Sequence, residues 1–267
     1  MSFNEKKSLK EKFEIYAESY AKELDDLELY DLKNFSTNCC PDIIAAGRNG
    51  EFWFSKEKRY ENKDSLDITD ENIPTIVIIL ESPHKDEFNN QNFPNGNPAL
   101  GKTGEMLQKH FENILRKNIS YLPDNYRVIL MNSIQFQCSL GEIPKKYRDY
   151  MWLSLWFGTN NLFKNDFICR LNSYNPSYIF NFCTIGNHIK KEYIEFCLQK
   201  CSPEICKKSI DDIQNMKKIT IRSIVSSSIP QNIILFEGSH PSSWWNKKNG
   251  VCQVKCVSFL LNFVRPQ

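Results

Sequence analysis

The chain has 267 residues, of which 41% are hydrophobic and 25% charged, and it carries ten cysteines. That composition belongs to globular domains and excludes collagen-like, low-complexity and wholly disordered chains. The net charge of +2 hides an asymmetry: residues 1–73 hold 11 basic and 17 acidic side chains, whereas residues 74–267 hold 23 and 15. The larger part is positive enough to meet a polyanion, although a solvated surface carries such charge equally well.

No apolar run approaches the ~20 residues that span a bilayer. The segment MSFNEKKSLKEKFEIY lacks the apolar centre of a signal peptide. The expectation is a cytoplasmic protein with no membrane partner. Cys39 and Cys40 are adjacent, Cys197, Cys201 and Cys206 are irregularly spaced, and no C-x-x-C occurs. The cysteines therefore read as small buried apolar side chains rather than as a disulfide framework or a metal cluster. No metal and no cofactor is expected.

In chain order, residues 4–34 place apolar side chains at helical spacing, among them Leu9, Phe13, Tyr16 and Tyr20. Residues 42–54 read as a hairpin turning at Arg48-Asn49-Gly50, and residues 60–73 as a polar linker. Residues 1–73 thus form a mainly helical extension whose function the sequence leaves open. From Pro74 the texture changes. Ile76–Leu80, Val128–Ile134, Tyr178–Phe182 and Asn232–Phe236 are short and rich in β-branched or aromatic residues, as strands buried on both faces are. Between them lie helical patterns at Gly104–Lys117, Tyr147–Phe157, Asn187–Leu198 and Ile205–Met216. The alternation predicts an α/β domain over residues 74–267, a three-layer α/β/α sandwich around a central four-stranded parallel sheet.

Sites in such sheets form beyond the carboxyl ends of the strands. Glu81 to Glu87 follow the first strand. Asn132, Ser133 and Gln135 lie at the end of the second, and Thr184, Gly186, Asn187 and His188 follow the third. Glu237 to Trp245 follow the fourth and include His240. Carboxylates, an amide, imidazoles and hydroxyls at one sheet edge suit hydrolysis, although any one of them also suits a cap or a turn. Gly96 to Thr103 spells G-x-x-x-x-G-K-T, but the residues before it are not a strand and no strand ends in an Asp for magnesium. The loop therefore lacks two parts of a nucleotide hydrolase, while Lys102 at a helix start still suits a phosphate.

Four of these features together resemble the uracil-DNA glycosylase superfamily, in its G-E-A-P-G branch, over residues 74–265. The branch's water-activating loop spaces Glu, Pro and a second Glu as Glu81, Pro83 and Glu87 stand here. Its P-F-V-G-x-A-G helix opening corresponds to Pro98 through Gly104, and its H-P-S motif to His240-Pro241-Ser242. Its base-reading Asn corresponds to Asn132. The resemblance implies a DNA glycosylase that flips a nucleotide and hydrolyses its N-glycosidic bond without a cofactor. It implies Glu81, with Glu87 second, orienting water and stabilising the sugar cation, and His240 stabilising the leaving base. Asn132, with Ser82, Pro83, His84 and Ala99, would line the base site. Lys102, Ser242 and Ser243 would meet DNA phosphates, and Trp244 or Trp245 would wedge into the base stack, unless they pack onto the domain.

Two departures shape the substrate expectation. Ala99 stands where the family has an aromatic that stacks on uracil, and His84 stands where the branch has a small residue. A site without that ring loses ~1–3 kcal/mol of stacking. The expected substrate is therefore a bulky modified pyrimidine, such as glucosylated hydroxymethylcytosine of phage DNA, in anti-phage defence. A uracil or deaminated-base repair glycosylase and a catalytically inactive DNA-binding protein of the same fold are the alternatives.

Overall fold

The computed structural model describes residues 9–15, 36, 38–48, 51–53, 73–88, 98–138, 145–157, 161–185, 220–246 and 253–257. Its strands are β1 (Ile43–Arg48), β2 (Glu51–Trp53), β3 (Thr75–Leu80), β4 (Asn125–Asn132), β5 (Tyr178–Asn181), β6 (Ile234–Glu237) and β7 (Lys255–Cys256). Its helices are α1 (Lys102–Asn118), α2 (Lys145–Phe157), α3 (Leu162–Ser173) and α4 (Ile221–Ser227), and residues 9–15 are also helical. The helices expected at 187–198 and 205–216, all but the last residue of the linker at 60–73 and most of segment 4–34 lie outside the described residues.

Strand β3 is Thr-Ile-Val-Ile-Ile-Leu, with every residue buried. It pairs in parallel with β4 on one side and β5 on the other, and β5 pairs in parallel with β6. These are the four strands expected from the sequence. The sheet among the described residues is nevertheless larger and mixed, with seven strands in the order β2-β1-β4-β3-β5-β6-β7. Strand β1 runs antiparallel to both β2 and β4, and β7 runs antiparallel to β6. The short connection after Arg48 makes β1 and β2 a hairpin, and a hairpin adds to an open sheet edge without a helical crossover.

Side chains alternate across the sheet and build a core on each face. On one face Ile76, Ile78, Val128, Leu130 and Phe180 meet Met106, Leu107, Phe111, Ile114 and Leu115 of α1. On the other, Val77, Ile79, Ile129, Met131 and Ile179 meet Trp152 and Trp156 of α2, Phe163 and Phe167 of α3, and Ile221 and Val225 of α4. The result is a helix layer, a sheet and a second helix layer. Leu9 and Phe13 are buried in the second core, where Phe13 stacks on Phe136 with ring centroids 4.7 Å apart. Segment 1–73 thus contributes both a hairpin to the sheet and two side chains to a core of residues 74–267.

The connection from β3 to β4 passes through α1 on one face, whereas α4, which precedes β6, packs on the other. Neighbouring strands β3 and β5 therefore send their chains to opposite faces. A crevice opens beyond their carboxyl ends at such a switch point.

Candidate active site

That crevice is a cavity of about 290 Å³. Its walls come from the segment after β3 (Glu81, Ser82, Pro83, His84, Glu87), the start of α1 (Gly101, Lys102, Thr103), Arg148 of α2, Thr184 after β5, and His240 and Ser242 after β6. Loops from three strand ends and two helices meet there; the end of the second expected strand, with Asn132, contributes no wall.

Glu81 is the most constrained group. Its carbonyl accepts from Ser133 Oγ at 2.6 Å, Trp152 Nε1 at 3.1 Å and the Ile134 amide at 3.1 Å. With the main chain fixed this way, its carboxylate, only 7% exposed, bridges the crevice. Oε2 accepts from the Thr184 amide at 3.1 Å, and Oε1 from Arg148 Nη1 at 3.4 Å. His240 Nε2 stands 3.6 Å from Oε2, close enough for electrostatic attraction and too far for a hydrogen bond.

His240 is placed by the turn after β6. The Gly238 amide donates to the Asn181 carbonyl at 3.2 Å, tying this turn to the end of β5. His240 Nδ1 accepts from the Ser242 amide at 3.3 Å and lies 2.8 Å from Ser242 Oγ. An Nδ1 that accepts leaves the proton of the neutral ring on Nε2, the nitrogen facing Glu81. Burial pulls the imidazole below its ordinary pKa; Glu81 opposes this, while Arg148, Arg222 and His84 reinforce it. Burial thus favours the neutral ring, whose Nε2–H is a donor.

The remaining candidates divide. Ser82, Pro83 and His84 line the cavity. His84 also caps the short helical turn Lys85–Glu87, accepting from the Asp86 amide at 3.3 Å. Glu87 lines the cavity, but its Oε1 accepts from the Ala99 amide at 2.8 Å. It thereby holds a residue whose φ of 55° is unusual for a side chain with a Cβ. Glu87 is thus a brace for the loop entering α1. Lys102 sits at the start of that helix with Nζ 3.5 Å from Glu105 Oε2, exposed toward solvent where the helix dipole favours an anion.

Four residues do not line this cavity. Ala99 is buried in the α1-side core. Asn132 is 1% exposed, and neither its Oδ1 nor its Nδ2 has a hydrogen-bond partner. By strand alternation it shares the face of Leu130 and Leu80. Ser243 is exposed, and its Oγ donates to the His240 carbonyl at 2.8 Å. Of the two outcomes the sequence leaves open for Trp244, wedge or packed side chain, the structure shows the second, because its indole is fully buried. It sits edge-on to Phe182 with centroids 5.3 Å apart and donates from Nε1 to the Ser239 carbonyl at 2.8 Å. A side chain so embedded cannot reach a base stack; it anchors the turn that carries His240. The side chain of Trp245, like Asn187 and His188, lies outside the described residues.

Two arginines were not singled out from the sequence. Arg148 reaches Glu81 from α2. Arg170 of α3 donates from Nε to Asp166 at 2.8 Å, from Nη1 to both Asp42 oxygens at 2.9 Å, and from Nη2 to the carbonyls of Asn132 and Ser133 at 3.1 and 3.3 Å. It locks the carboxyl end of β4 to Asp42, the residue before β1. In both helices the signal is a charged pair amid apolar neighbours, Arg148 with Asp149 and Asp166 with Arg170 at i,i+4.

Of the described cysteines, Cys40, Cys138 and Cys183 are buried, and all six are free thiols. No group of histidines, cysteines and carboxylates among the described residues is arranged to hold a metal ion. No described helix is long and apolar enough to cross a membrane. Comparison with protein-family models, with curated proteins and with solved structures finds no match for the chain.

Proposed function

We propose that the chain is a DNA glycosylase of the uracil-DNA glycosylase type that hydrolyses the N-glycosidic bond of a flipped nucleotide and leaves an abasic site. One observation carries the reading: a buried carboxylate and an imidazole, Glu81 and His240, stand 3.6 Å apart in the wall of a cavity at a topological switch point. Their chemistry suits the two ends of the scissile bond. Glu81 orients a water toward C1′ and stabilises positive charge on the sugar. The C1′–N bond breaks as the water oxygen bonds to C1′. The base departs with the bonding electrons and accepts a hydrogen bond from His240 Nε2–H. The water proton passes to solvent or to the departing base. The start of α1, with Lys102, meets a backbone phosphate.

The same cavity supports a bulky substrate. Its described walls set carboxylates, hydroxyls, imidazoles, the Arg148 guanidinium and the Lys102 ammonium beside apolar Leu80 and Pro83, with no phenyl, phenol or indole ring. Such walls suit a base carrying a polar substituent, such as a glucosylated hydroxymethylcytosine of phage DNA, and a role in defence against phage. Mass spectrometry of the soluble fraction after incubation with that DNA tests the assignment. Release of the free modified base supports it. Release of uracil alone, from uracil-containing DNA, would reassign the protein to repair.

A further inference from the structure

Arg148 belongs to α2, the helix that also sends Trp152 to the Glu81 carbonyl. Its Nε and Nη2 donate to Asp149 Oδ1 at 2.9 and 2.7 Å, and its Nη1 reaches Glu81 Oε1 at 3.4 Å. The side chains of Arg148 and Asp149 are 13% and 2% exposed, so the guanidinium is held by its neighbours rather than by water. Burial pulls Arg148 down, but Glu81 and Asp149 outweigh it, so the group stays charged above its ordinary value.

On the far side of the same carboxylate stands His240. A carboxylate and an imidazole this close in a buried site attract one another strongly, because little water screens them. If they closed, the imidazole would take a proton and both groups would be spent on each other. The geometry shows a competitor: Arg148 engages Oε1, the Thr184 amide engages Oε2, and the histidine is left at 3.6 Å.

We propose that Arg148, anchored by Asp149, is a positioning residue that holds Glu81 in the cavity wall and keeps it from collapsing into an ion pair with His240. The two groups then serve opposite ends of the scissile bond. The catalytic part of this inference rests on the glycosylase reading; the electrostatic part does not. The charged and titratable groups that act on His240 are Glu81, Arg148, Arg222 and His84.

The test uses the full chain, with Arg148→Gln and Arg148→Lys. Ring-nitrogen NMR follows the titration of His240 and needs no substrate. Single-turnover and steady-state excision are measured on whichever DNA the wild type cleaves. In Arg148→Gln, His240 titrates at higher pH than in the wild type, and kcat falls about 100-fold, the scale of a small misplacement, with KM unchanged. In Arg148→Lys the charge stays but the two-pronged grip on Asp149 goes, so His240 titrates as in the wild type while kcat still falls. An unmoved His240 titration in Arg148→Gln overturns the proposal, as does wild-type kcat in either variant. Should Arg148→Gln not fold, Arg148→Lys decides by the same kcat criterion. Should the wild type excise no base, the glycosylase reading fails, and the NMR titration still decides whether Arg148 separates Glu81 from His240.

Discussion

Replacing Arg170 with methionine removes the cation that neutralises two buried carboxylates. The arginine is 8% exposed and Asp166 5%, and four contacts of 2.8–3.1 Å run from its guanidinium to Asp166, Asp42 and the Asn132 carbonyl. Methionine keeps most of the packed stem, so the loss is electrostatic rather than a cavity. Removing one partner of a buried ion pair costs about 3–5 kcal/mol, because the stranded charge has no water to turn to. A domain holds only about 5–15 kcal/mol in total. Urea denaturation followed by fluorescence of the buried Trp152, Trp156 and Trp244 measures the change. Stranded charge as the cause makes a second demand: adding Asp42→Asn and Asp166→Asn to Arg170→Met must recover part of the loss. A cost for Arg170→Met under about 1 kcal/mol, the range of an exposed pair, would refute the reasoning. So would a triple variant less stable than the single one.

Three further outcomes follow from the same geometry. The fragment 74–267 leaves the edge of β4 unpaired, strips Phe13 from Phe136 and takes Asp42 from Arg170, so it aggregates or melts far below the full chain in a thermal scan; equal stability would show that the N-terminal segment is dispensable to the fold. Trp244→Ala lowers stability by about 3–5 kcal/mol, as truncation of a core tryptophan does, whereas a surface wedge would change it by about 0.5 kcal/mol or less. His240, whose pKa is lowered on folding, contributes stability that is present above its unfolded value of about 6.5 and is lost as pH falls through the folded value. His240→Gln should therefore flatten the acid-side fall in stability, and wild-type excision should weaken over the same window as the ring is protonated.

Local pattern made the four central strands legible because each is a short apolar run with both faces covered. Strand β4 begins at Asn125, earlier than its pattern suggests, since Asn125 and Arg127 interrupt the apolar run. The hairpin was legible at Arg48-Asn49-Gly50, but its attachment to β4 was not, because pairing between distant segments leaves no local periodicity. Helix α3 has no counterpart among the expected helices: Asp166 and Arg170 interrupt its apolar pattern, although they satisfy each other inside the protein. At the site, Glu81, His84, His240 and Lys102 were found by their positions after strands or at a helix start. Arg148 stayed hidden because it lies in the first turn of α2 rather than after a strand, and Trp244, which the sequence leaves open between a wedge and a packed side chain, is shown by its burial to be packed.

The central claim is that Glu81 drives base excision. The measurement that tests it most directly is alkali-labile strand breakage on DNA carrying uracil, hypoxanthine, hydroxymethylcytosine or its glucosylated form, with wild type and Glu81→Gln side by side. The account predicts breaks on the glucosylated DNA that vanish in Glu81→Gln while DNA binding persists. Breaks undiminished by Glu81→Gln, or intact strands on every substrate despite wild-type binding, would contradict it.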